Sequence, residues 1–178
     1  MRSFTQKDKL SVTELTTFAM LGTMMYITKF IMAILPNIHL IALFIAAFTL
    51  TYRVKALFPI YVFIFLDIVT SGFALGLIPN LYIWFPLWAG VMLVSKIKIP
   101  NGAKVPVYMV VCGLHGLGFG AMYAPAQALM FGYDLDEMLV WIAAGFPFDV
   151  IHGASNFCAA SLVLPLNTLL EKMSRNTT

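Results

Sequence analysis

The chain has 178 residues, 61% of them hydrophobic and 11% charged, with a net charge of +3 and a mean hydropathy of +0.89. An ordinary soluble domain is about 45–50% apolar and about 25% charged, so this composition excludes a soluble protein and predicts an integral membrane protein. A spanning helix takes about 20 apolar residues, which leaves room for about six crossings in one all-α domain over residues 1–178, and none for a second, soluble domain.

The opening MRSFTQKDKLSVTEL is polar and mixed in charge, without the apolar core and cleavage site of a secretory signal. It is expected to be a cytosolic lead-in. Hydropathy and helix breakers then place spans near 15–35, 38–52, 56–77, 80–95, 105–131 and 138–170. The connection ILPNIHL predicts a tight hairpin between the first two spans, bent at Pro36 and Asn37. The last span is long: at about 1.5 Å per residue it outruns a ~30 Å core, so it must tilt, kink at Pro147 or extend past one surface.

Orientation follows from the cations, because Lys and Arg accumulate on the cytoplasmic side. With six spans, Arg2, Lys7, Lys9, Arg53, Lys55, Lys96, Lys98, Lys104, Lys172 and Arg175 all fall on one side, and the acidic YDLDE at 133–137 on the other. Both termini are thereby predicted to be cytosolic. Lys29, in the outer part of the first span, breaks the pattern and is expected to snorkel outward.

Polar residues inside apolar spans are costly and usually face the bundle interior or a wet cavity. In span three, Asp67, Thr70, Ser71 and Ala74 share a face; Asp67 reads equally as an interhelical or a surface-facing acid. In span four, Asn80, Trp84 and Trp88 lie along one stripe, with Trp84 an interfacial belt residue or a ligand contact. Span five contains GLHGLGFGAMYAPAQ, where Gly116, Gly120, Tyr123 and Gln127 share a face and His115 lies about 100° aside. The glycines serve helix packing or ligand approach, and His115 an interhelical bond or a ligand. In span six, Gly145, Asp149, His152 and Asn156 fall within about 60°. That stripe is a structural polar network or, as three aligned costly groups favour, a cavity wall in which Asp149 orients His152.

The expected pocket opens outward between spans four, five and six, lined by aromatics and amides suited to a flat, polar-edged small molecule. No GxSxG, HExxH, Asp-rich phosphotransferase signature or P-loop accompanies it, so no catalytic residue is assigned. No cofactor, metal or nucleic-acid partner is expected either. A metal site from His115, His152 and Asp149 is not established by spacing across helices. Cys112 and Cys158 sit in apolar runs and read as small hydrophobic filler. The predicted cytosolic loops are too short to hold an ATPase.

In size, in six spans with cytosolic termini, in the small-residue helix FAMLGTMMYITK, the PNIHL hairpin and the final PFDVIHGASNF…LVLPLNTLLEKM, the chain resembles the substrate-binding S components of energy-coupling factor (ECF) transporters. The resemblance implies a prokaryotic plasma-membrane protein that captures a vitamin or related micronutrient from outside. It would then dock on a transmembrane coupling subunit carrying two ATPases. It further implies docking through Ala19, Gly22 and Thr23, where Thr23 replaces the second of the family's usual alanine pair, and a lid formed by Asn37, Ile38 and His39. The substrate contacts expected are Asn80, Trp84, Trp88, His115, Tyr123, Gln127, Asp149, His152 and Asn156. The competing expectations are a self-sufficient transporter relaying protons through Asp149, His152 and Asp67, and an intramembrane enzyme.

Overall fold

The computed structural model describes residues 10–72 and 77–175; Arg2, Lys7, Lys9 and Ala74 lie outside the described residues. Regular structure among the described residues is helical: α1 (Val12–Ile31), α2 (Ile41–Tyr52), α3 (Leu57–Ser71), α4 (Asn80–Val94), α5 (Asn101–Leu117), α6 (Phe119–Phe131), α7 (Leu135–Ala159) and α8 (Val163–Arg175). Four helical stretches, Val12–Ile34, Ile41–Ser71, Asn101–Phe131 and Leu135–Arg175, are long and apolar enough to cross a membrane, and Asn80–Val94 is a shorter apolar helix.

Local chemistry sets the boundaries. Ser11 and Glu14 form a capping box at the start of α1, and Asp134 with Glu137 forms another at the start of α7. In each, the side chains satisfy backbone N–H groups that have no intrahelical acceptor. Gly72 and Gly132 end α3 and α6 at φ 70° and 75°, backbone that a residue without Cβ adopts at no steric cost. Asn37, at φ 61°, turns the chain between α1 and α2, at the place expected from PNIHL.

The long apolar stretch Ile41–Ser71 is interrupted at Arg53, whose backbone lies at φ 57° and ψ −122°. Contacts on either side give the helix directions. Lys55 pairs with Glu14 near the start of α1, and Lys29 with Asp67 near its end, so α1 and α3 run parallel, with α2 running the opposite way in the chain between them. Asn80 reaches Asp67 while Trp88 and Ser95 reach Arg53, which sets α4 antiparallel to α3. His115 meets Ile83 and Tyr82 meets Met122, so α5 and α6 run opposite to α4. Asp149 on Gly120 and Asn167 on Thr51 return α7 and α8 the other way.

At the centre is α2, with every residue from Ile41 to Thr49 buried, against α4, α5, α7 and α8. In lipid, leaving water supplies no force between helices, so close packing of small residues matters instead. The α5 and α7 pair is built that way: a Cβ on Gly116 would stand 2.7 Å from Gly153 Cα. The packing reading therefore holds for Gly116, whereas Gly120 meets the Asp149 side chain. In the last stretch α7 continues helically through Pro147, and the interruption is the 3-10 turn Ala160–Leu162, after which α8 runs on to Arg175.

Candidate functional site

Four helices and one loop bring a set of rings together at the end of the bundle where α1 meets α2. From the loop comes His39, whose ring lies 4.7 Å from that of His152 on α7 and 6.0 Å from that of Trp84 on α4. Trp84 stacks on His115 of α5 at 5.6 Å. Phe119, at the start of α6, touches the rings of Trp84, His115, Tyr123 and His152. All three histidines of the chain thus meet in one aromatic cluster.

The polar atoms of this cluster are short of partners. Trp84, His115, His152 and Asn156 are 4%, 8%, 3% and 0% exposed. Trp84 Nε1, His115 Nδ1, His152 Nε2 and both amide atoms of Asn156 are buried without a hydrogen bond. An unpaired buried polar group costs about 1–3 kcal/mol, and such groups are rare in folded proteins. Three of these atoms lie in the ring cluster itself and two on Asn156, one turn along α7 from His152, which marks a place where polar partners from elsewhere belong. His115 keeps one bond, from Nε2 to the carbonyl of Ile83 at 2.8 Å, so the interhelical reading of this residue is correct for one nitrogen and leaves the other open.

Asp149 has a different partner from the one anticipated. Both carboxylate oxygens accept from the backbone N–H of Gly120 at 3.1 Å, so the acid ties α7 to α6 and does not orient His152. The bond depends on glycine, since a Cβ at 120 would collide with that carboxylate.

A second polar group adjoins the first. Lys29 Nζ donates to both oxygens of Asp67 at 2.6 Å, and Asn80 Nδ2 donates to one of them at 3.3 Å. The ammonium also stands 5.7 Å from the centre of the Phe63 ring, which itself meets Trp84. Lys29 therefore forms an ion pair where snorkelling was expected. A cavity of about 280 Å³ beside the pair is lined by Tyr26, Asn37, Ile38 and His39 among others, so the anticipated lid residues border it and His39 faces both groups.

Other anticipated residues stand apart. Trp88 donates to the carbonyl of Arg53 at 3.1 Å, toward the opposite end of the bundle. Tyr123 extends the cluster outward, stacked on Phe119 and Trp141. Gln127, a turn beyond, makes no hydrogen bond to the cluster among the described residues. Gly22 is buried against Val62 and Pro59 of α3, whereas Ala19 and Thr23 are exposed on the outer face of α1. Phe119 was not anticipated, though the four-residue spacing of His115, Phe119 and Tyr123 carries the signal.

Among the described residues no group of three His, Cys, Asp or Glu is placed to hold a metal ion. No protein-family model, no curated protein and no solved structure matches the chain. The functional reading rests on the geometry of this site.

Proposed function

We propose that this protein is the membrane-embedded substrate-binding subunit of an ATP-driven micronutrient importer of the ECF type. It has six crossings and both termini in the cytosol of a prokaryote. The observation that carries the reading is the cluster of Trp84, His115 and His152, with Asn156 one turn further along α7, whose buried polar atoms lack partners. Such a constellation suits capture of a small molecule by hydrogen bonds and stacking, and it includes no nucleophile paired with a base.

The distribution of charge supports the topology. Arg53, Lys55, Lys96, Lys98, Lys104, Lys172 and Arg175 belong to the end of the bundle where α3 and α5 begin, and Asp134, Asp136 and Glu137 to the end that holds the cluster. By the positive-inside rule the cluster faces outward, which fits uptake. The exposed pair Ala19 and Thr23 is the surface through which α1 docks on the coupling subunit.

The test is equilibrium binding to the purified protein followed by uptake in proteoliposomes. His115→Ala, His152→Ala and Asn156→Ala should each weaken binding by on the order of tenfold or more, the equivalent of one lost buried hydrogen bond, while thermal unfolding stays cooperative. Uptake should require the coupling subunit, the ATPases and ATP. The Lys29–Asp67 pair favours one rival, a proton-coupled transporter. Substrate accumulation by the protein alone under a proton gradient would establish that rival instead.

A further inference from the structure

The unpaired atoms specify more than the presence of a ligand, because each has a defined hydrogen-bonding sense; the inference rests on the binding role proposed above. Trp84 Nε1 can only donate. For His115 the sense follows from its one bond: the Ile83 carbonyl only accepts, so Nε2 carries the proton. In an uncharged imidazole the other nitrogen, Nδ1, is then a lone pair seeking a donor. Asn156 offers a donor and an acceptor, both unpaired, and His152 Nε2 adds one further polar position.

No unpaired atom of this set belongs to a carboxylate, an ammonium or a guanidinium. Asp149, the nearest acid on α7, is committed to Gly120 N–H through both oxygens. Lys29 is committed to Asp67. A ligand carboxylate or phosphate set among these groups would face the His115 lone pair and be buried without a cation, which is expensive. Around these groups the Phe119 ring lies 5.7 Å from that of Trp84 and 4.6 Å from that of His152, an aromatic surround for a ring-shaped solute.

We propose that the site takes an uncharged, planar heteroaromatic ring whose edge carries both a hydrogen-bond donor and an acceptor, as a primary carboxamide, a lactam or an amino-azine does. The donor goes to His115 Nδ1, the acceptor receives Trp84 Nε1–H, and Asn156 pairs with the same edge as an amide pairs with an amide. The acidic counterpart of the same ring is rejected.

Matched pairs of probes test this: nicotinamide against nicotinate, and 4-aminopyrimidine against pyrimidine-4-carboxylate, titrated calorimetrically into the intact purified protein. The uncharged member of at least one pair should bind on the order of tenfold or more tightly than its acid. His115→Leu should remove most of that preference, by weakening the uncharged probe and leaving the acid nearly unchanged. If that variant unfolds, Asn156→Leu serves in its place. Equal affinities within both pairs, a preference for the acids, or a preference that survives both substitutions overturns the inference. So does failure of the folded protein to bind any of the four. In that last case native mass spectrometry separates the two readings: a co-purified acidic or aliphatic solute preserves the binding role and sinks the ring-edge assignment, and a protein that carries and binds nothing sinks both.

Discussion

At the scale of single residues, glycine sets how closely α5 and α7 approach. Gly116 lies where a Cβ would stand 2.7 Å and 2.8 Å from Gly153 Cα and N. Backbone atoms cannot rotate away as a side chain can, so Gly116→Ala should force α5 and α7 apart. The expected cost is about 1–3 kcal/mol, the usual range for overpacking, read as a lower unfolding temperature in detergent. Gly145, on the same helix as Gly153, has open space around its Cβ position. Gly145→Ala should be neutral or stabilising by up to about 1 kcal/mol, because alanine is the better helix former. Equal losses at both positions would mean that close approach of α5 and α7 is not what position 116 requires. The sequence placed Gly116 and Gly120 on one face but not which neighbour they meet. Helical spacing determines a face, and only the partner helix determines what that face touches.

At the scale of elements, the division of Ile41–Ser71 into two helices is decided by one residue. Arg53 adopts φ 57°, which a residue with Cβ enters at a cost of about 1–3 kcal/mol. The conformation is held by what surrounds it: Trp88 donates to the Arg53 carbonyl, and the guanidinium reaches Ser95 Oγ at 2.7 Å. Replacing the side chain separates backbone strain from these contacts. Both Arg53→Gly and Arg53→Ala lose the bond to Ser95, and only glycine relaxes the dihedral. The glycine variant should therefore be more stable than the alanine variant by about 1 kcal/mol in thermal unfolding, and the reverse order would show that no strain resides there. Hydropathy alone reads this stretch as one long apolar run, and the paired cations Arg53 and Lys55 were the sequence signal that it reverses. The same comparison explains Trp88. Its four-residue spacing from Trp84 suggested a shared ligand face, yet Trp88 donates to the carbonyl of Arg53 at the turn between α2 and α3.

At the scale of the whole molecule, the proposed six-crossing topology rests on which end of the bundle holds the cations. A six-crossing arrangement puts Asp136 outside and Lys98 inside. Of the two cysteines, Cys112 is buried and Cys158 exposed, so a Cys158→Ser background leaves no accessible thiol among the described residues. In that background Asp136→Cys should react with a membrane-impermeant maleimide on intact cells, and Lys98→Cys only after the membrane is opened. Labelling of position 98 on intact cells would overturn both the proposed topology and the proposed outward orientation of the site. Membrane character, helical class, the PNIHL turn and the sorting of charge were all determined by the sequence itself, because they depend on composition and local spacing. The polar stripe of α7 was also visible as a stripe. Its partners were not. Only the tertiary structure assigned Asp149 to Gly120, joined Lys29 to Asp67 and set Phe119 at the centre of the rings. Each of these contacts joins separate helices, and their relative rotation and depth follow from packing many small and large side chains at once rather than from any one segment.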